Sequence, residues 1–129
     1  MGKTSQENGK KFETKLCEYL SKKGWYVVYM EKGVTGSQPC DIVAIRNNMP
    51  LMIECKNLAA KNGLFPVSRI EQNQLLSYKK FKSCHNSNFI LAINWNGGVY
   101  LVDFDWLKFY QNSIDLKIME PEFRWEDEI

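Results

Sequence analysis

Apolar and polar positions alternate along this chain with two periods, and the switches between them outline its elements. Phe12, Leu16, Tyr19 and Leu20 recur at helical spacing, so residues 9–23 read as an amphipathic helix that Gly24 can close. Trp25–Met30 is aromatic and β-branched and reads as a first strand. Ile42–Ile45 and Leu51–Cys55 flank the turn-like Arg46-Asn47-Asn48-Met49-Pro50 and read as a hairpin. Ser68-Arg69-Ile70-Glu71 matches a capping box, which predicts a helix from about Arg69 to about Ser83. Its stripe is Ile70, Gln74, Tyr78 and Phe81, so Gln74 is a polar residue on the face expected to meet a sheet. Asn88–Trp95 and Val99–Phe104 flank Asn96-Gly97-Gly98, a second hairpin, and Asp105 can cap a short last helix ending near Tyr110. The order α-β-β-β-α-β-β-α fits an α/β (α+β) mixed sheet with helices on its faces.

The second strand run carries unusual chemistry. Strand side chains alternate faces, so Leu51, Ile53 and Cys55 share one face while Met52, Glu54 and Lys56 share the other. Asp41 opens the preceding run, thirteen positions before Glu54. If the two strands are neighbours, two carboxylates and a lysine converge. Two carboxylates can hold a hard divalent cation through oxygen. A lysine beside them can orient an attacking water or stabilise charge on a phosphate. The ordinary alternative is a solvated strand edge with one surface ion pair.

These residues resemble the motif of the PD-(D/E)xK nuclease superfamily, and within it the chain is similar to Holliday junction resolvases of the RecU type. Gly9-Lys10-Lys11-Phe12-Glu13 resembles the Gly-x-x-Phe-Glu opening of the first helix. Pro39-Cys40-Asp41 stands for the Pro-Asp element with one residue inserted, and Glu54-Cys55-Lys56 for the Glu-x-Lys. Phe65–Ile70 followed by Gln74 resembles the segment leading into a glutamine-bearing helix. The segment before Asp41 is shorter than in RecU-type proteins, which carry a stalk.

The resemblance implies a restriction-endonuclease-like αβββαβ core and a metal-dependent endodeoxyribonuclease acting on branched DNA as a homodimer. It implies Mg²⁺, with Mn²⁺ able to substitute, held by Asp41, Glu54 and the Cys55 carbonyl. Lys56 would position or deprotonate the water, and Glu13 and Gln74 would support the metal or its waters. Glu13 could equally be a surface glutamate of a lysine-rich helix, and Tyr78 a core residue with a tethered hydroxyl. Two other readings stay open: a nuclease for linear or single-stranded DNA ends, at which Gln74-x-x-x-Tyr78 hints, and a catalytically silent DNA-binding module of the same fold.

Composition narrows the class. The length of 129 residues suits one domain, 1–129, with about 111–129 as an acidic C-terminal extension. The net charge of +2 hides an asymmetry, +7 over residues 1–82 and −5 over 83–129. A basic body with a few convergent acids suits a polyanion. Glu120–Glu128 reads as a mobile or partner-facing tail that Phe123 and Trp125 could pin to the body. Glu31–Cys40, with Gly33, Thr35, Gly36 and Ser37, reads as a flexible loop entering the site. No apolar run approaches the ~20 residues of a membrane span, and the first residues lack a signal-peptide core, so a cytoplasmic protein is expected. Cys17, Cys40, Cys55 and Cys84 lack zinc-ribbon spacing and read as buried thiols rather than disulfides. Trp95 and Trp106 are expected to pack rather than to stack on bases. Phe65, Phe109 and Tyr110 are candidates for a dimer interface, with internal packing as the alternative.

Overall fold

Two hairpins meet back to back to make the central sheet. The structure, a computed structural model, describes residues 5–30 and 40–128. A first helix, α1 (Ser5–Lys22), leads into β1 (Tyr26–Tyr29), β2 (Ile42–Arg46) and β3 (Met49–Asn57). A short β4 (Leu64–Pro66) and α2 (Gln72–Ser83) follow, then β5 (Phe89–Trp95) and β6 (Gly98–Asp103). The chain ends with β7 (Ser113–Asp115) and β8 (Phe123–Arg124), separated by 3₁₀ turns. The main sheet runs β1-β2-β3-β5-β6-β8, and β4 pairs with β7 in a small second sheet. Among the described strands only the central pair, β3 with β5, is parallel, as the helical crossover between them requires.

Both hairpin turns use left-handed backbone. Asn47 and Asn48 have φ of 53° and 64°, and Asn96 and Gly97 have 49° and 77°. Successive positive φ values match the strand twist, and asparagine and glycine tolerate them. These turns set the registers Ile45↔Pro50 and Trp95↔Gly98, and so decide which side chains share a face.

Each sheet face has its own core. Under α1, the buried Phe12, Leu16 and Leu20 pack on Ile42, Ala44, Ile53, Ala92 and Val99. The opposite face buries Met52, Phe89, Leu91, Ile93, Tyr100 and Val102, with Leu75, Tyr78 and Phe81 of α2 packed against them. Strand β5 contributes to both faces, as a central strand covered on each side does.

Several boundaries differ from the sequence reading. Helix α2 starts at Gln72, not near Arg69; Val67–Arg69 is a 3₁₀ turn. The capping box that forms is Glu71 with Gln74, not Ser68 with Glu71. Pro66 and the pairing of β4 with β7 hold the preceding residues extended, so Ser68 never occupies the cap. The expected last helix is a 3₁₀ turn, Phe104–Phe109, capped by Asp103 rather than Asp105. Of the readings for 120–128, the mobile tail is corrected and the pinning by Phe123 and Trp125 is what forms. Phe123 is buried and stacks on Tyr19, β8 pairs with β6, and Trp125 meets Phe12 edge to face. Phe65 lies in the core, Phe109 is exposed, and Trp106 is 59% exposed rather than packed. Trp95 does pack, its indole N–H donating to the Ala60 carbonyl. All four cysteines are free, but of the expected buried thiols Cys40 is buried, Cys17 and Cys55 are half-buried, and Cys84 is exposed. Among the described residues no helix is long and apolar enough to cross a membrane.

Candidate active site

Asp41 is fixed by the sheet it precedes. Its N–H donates to the Ile53 carbonyl of β3, and its carbonyl accepts from the Met30 N–H. Before it, Cys40 is fully buried, with its thiol donating to the Ile42 carbonyl. The residue inserted between Pro39 and Asp41 is thus a core plug at the mouth of β2. Pro39 itself, and Gly33, Thr35, Gly36 and Ser37 of the proposed entry loop, lie outside the described residues.

One carboxylate oxygen of Asp41 accepts the Cys55 N–H at 2.8 Å. The last β2–β3 pair on this side is Ile42↔Ile53, so β2 ends where Cys55 needs a partner, and the Asp41 side chain takes the place of a strand. Within a strand a residue's N–H and C=O point to the same side. The Cys55 carbonyl therefore points into the gap that Asp41 occupies.

Glu54 is the one buried charged residue among those described, at 3% exposure. One carboxylate oxygen accepts from the Gln74 side-chain amide at 2.9 Å, while the Gln74 carbonyl oxygen accepts the Glu71 N–H that begins α2. Gln74 thus joins the helix cap to the acid, and its place in the apolar stripe is explained. Burial raises the Glu54 carboxyl to about 9, with further raising from the charge of Asp41, a hydrogen bond with it and, more weakly, Glu13; Lys56 pulls it down. Asp41, Glu54 and Lys56 therefore meet at one end of β2 and β3, on the face that α2 covers.

Glu13 stands farther out. It receives the Tyr29 hydroxyl at 2.7 Å, and burial, then this bond, raise the tyrosine well above its usual range. The charge of Glu13 reaches Glu54 and Cys55. Among the described residues no three acidic, histidine or cysteine side chains come close enough together to hold a metal ion. Two carboxylates and a backbone carbonyl remain as an all-oxygen donor set. That suits a hard cation that keeps several of its waters.

The thiols of Cys17, Cys40 and Cys55 are held protonated. Burial pushes Cys40 up to about 12 and Cys17 up to about 11, and desolvation followed by the Asp41 charge raises Cys55. Tyr78 is directed away from Glu54: its hydroxyl donates to Asp105, and its ring packs edge-on against Phe89. Sequence reasoning missed Tyr29, because its pairing with Glu13 depends on how α1 lies across β1. It also missed Arg69, whose guanidinium donates to the Asn57 carbonyl just past Lys56 at 2.8 Å. A lone arginine in a turn carries no signal of that contact.

A family model described as archaeal Holliday junction resolvase (Hjc) matches residues 4–123. The chain belongs to this family. The motifs resembled the RecU type, and the match places the chain with the archaeal resolvases of the same superfamily. Membership supports a nuclease acting on Holliday junctions, in a family that generally uses a divalent metal. Among solved structures, Hjc from Archaeoglobus fulgidus aligns with a TM-score of 0.61 at 18% identity, covering 84% of this chain and 87% of that one. A bacterial homing endonuclease, I-Ssp6803I, aligns with a TM-score of 0.59 at 16% identity, covering 96% and 82%. Both show the shared restriction-endonuclease-like fold. No curated protein matches the chain in sequence.

Proposed function

We propose that the protein is a Mg²⁺-dependent, homodimeric endonuclease that cuts four-way DNA junctions, with Asp41, Glu54 and Lys56 as its catalytic group. The observation that carries the reading is the buried Glu54 set against Asp41, with its charge only partly balanced within the chain. A carboxylate in that position needs either a proton or a cation. Asp41, Glu54 and the Cys55 carbonyl would hold Mg²⁺, or Mn²⁺ in its place, and the bound ion would make a water more acidic and offset charge on the scissile phosphate.

The chain's own groups do the rest. The Cys55 N–H fixes the Asp41 carboxylate, and Gln74 fixes Glu54. Lys56 positions the attacking water or helps to deprotonate it, and favours the ionised form of Glu54. Glu13, oriented by Tyr29, supports waters at the rim of the site. Recognition follows the shape of the junction, with basic residues of 1–82 replacing phosphate counterions. In a homodimer two such sites face two strands, and paired nicks follow from the symmetry. The chain is expected to work in the cytoplasm.

Cleavage of four-way junction, duplex and single strand, with and without Mg²⁺, tests this reading. Metal-dependent paired nicks in the junction are expected, and substitution of Asp41 or Glu54 should abolish them. Faster cutting of single strands would transfer the assignment to a nuclease of DNA ends. Junction binding without any cutting would leave a silent binding module.

A further inference from the structure

Beyond the carboxylates, a chain of side-chain hydrogen bonds leads from the end of β3 to the C-terminal segment. The Asn57 side-chain oxygen accepts from the Asn94 amide at 2.9 Å, and the Asn94 oxygen accepts the Trp125 indole N–H at 3.0 Å. The Trp125 ring, held by that bond and by Phe12 and Phe123, supports the Lys15 ammonium 4.3 Å above its centroid. A cleft of about 230 Å³ opens here, lined by Asn8, Lys11, Phe12, Lys15, Asn94 and Trp125. Among the described residues neither lysine has an ion-pair partner and no acid lines the cleft. The nearby acids Glu18 and Glu128 line a separate hollow that shares only Lys15 and Trp125 with it.

From this arrangement we infer that the cleft is a second phosphate-holding subsite, which grips the DNA backbone a few nucleotides from the cut. The inference rests on the nuclease reading of the Asp41–Glu54 site. Asn57 follows Lys56 directly and pairs in register with Asn94; both side chains point to the α1 face, so the cleft floor starts at the ends of β3 and β5 on the sheet face opposite Glu54 and Lys56. A DNA strand carries a phosphate about every 3.4 Å of helix axis. A backbone that leaves the active site must pass over the ends of β3 and β5 from the α2 face to the α1 face, and it then meets the cleft within a few phosphates. Lys11 and Lys15 lie one helical turn apart, and Asn8 extends their row toward the N-terminus. The aromatic seat fixes Lys15 before DNA arrives, which reduces the ordering cost of the contact. The asparagine chain makes the subsite rigid with respect to Lys56.

The test compares the double variant Lys11→Gln/Lys15→Gln with the control Lys79→Gln/Lys80→Gln, which removes the same charge from the exposed face of α2. Junction binding by each full-length protein is measured across salt, beside metal-dependent cleavage by the wild type. The expected result is affinity about 10-fold lower in the cleft variant, with a salt slope shallower by roughly 1.5. The control should change less than about threefold. Trp125→Leu, which keeps both lysines but removes the seat, should fall between the two. Junction DNA should shift the Trp125 indole N–H resonance, and inorganic phosphate alone should not. Equal losses in the cleft and control variants, or a resonance moved by phosphate but not by DNA, would overturn the subsite. A wild type that neither binds nor cuts junctions would instead refute the nuclease reading.

Discussion

Two carboxylates meet the same helix one turn apart and end up in opposite states. Gln74 of α2 reaches Glu54, and Tyr78, four residues on, reaches Asp105. Asp105 also receives the Lys82 ammonium at 3.1 Å, and these donors, Tyr78 first, hold its carboxyl below the usual carboxylate range. Glu54 has one neutral amide donor, deep burial and a second carboxylate against it, and is raised to about 9. Asp105 is balanced within the chain and ties a turn to a helix. Glu54, offset only in part by Lys56, takes up a proton or, on the proposed reading, a cation. The site is marked by this imbalance rather than by acidity alone.

The sharpest way to break the comparison is to remove each acid in turn. Asp41→Asn or Glu54→Gln should lower junction cleavage by on the order of 10³-fold, the scale of losing preorganised electrostatic stabilisation. Binding should survive or tighten in gel-shift titrations, because a charge that repels phosphate is gone. Lys56→Ala should also inactivate the protein while leaving metal binding. Asp105→Asn should cut junctions at the wild-type rate.

A second contrast lies in pH. The Glu54 carboxyl sits at about 9 in the fold against 4.5 unfolded, so the native state binds the extra proton between these values. The stability it contributes is present below 4.5 and is lost as pH rises toward 9, by about 1.4 kcal/mol per unit at most. Metal-free wild type should therefore lose stability relative to Glu54→Gln over that window in denaturant titrations, and Mg²⁺ should restore it. Asp105 runs the other way. Its lowered carboxyl contributes above the unfolded value and fades in acid.

Smaller effects separate the two donors on α2. Gln74→Ala removes both the amide on Glu54 and the acceptor for the Glu71 N–H, and should cost about 1–2 kcal/mol in thermal unfolding. It should also slow cleavage about 10-fold, through a looser Glu54. Tyr78→Phe should cost only about 0.5–1 kcal/mol, because the Asp105 side chain is 41% exposed and its interactions are screened. Cleavage should not change.

Strands β1, β2, β3, β5 and β6 were legible from their apolar and β-branched runs and from the asparagine and glycine of their turns, whereas the two- and three-residue β4, β7 and β8 are too short to carry a pattern. Glu54 and Lys56 could be assigned to one face from spacing alone. Gln74 was legible as a polar break in an apolar stripe. The start of α2 was not, because Ser68 and Glu71 satisfy a capping pattern that β4 pairing overrides. The C-terminal segment was half legible: Phe123 and Trp125 stood out as anchors among its acids, but the stacking of Phe123 on Tyr19 of α1 and the pairing of β8 with β6 follow no local pattern. Glu13 was placed near the site by its motif, but its hold on Tyr29 depends on the packing of α1 against β1.

Titration of the isotopically labelled protein with Mn²⁺, read by paramagnetic broadening of amide resonances, tests the central claim most directly. The account predicts broadening centred on Asp41 and on Glu54–Lys56, reduced by excess Mg²⁺ and abolished in Asp41→Asn. Broadening centred instead on Asp103 and Asp105 or on the acidic residues 126–128, unaffected by Asp41→Asn, would contradict it.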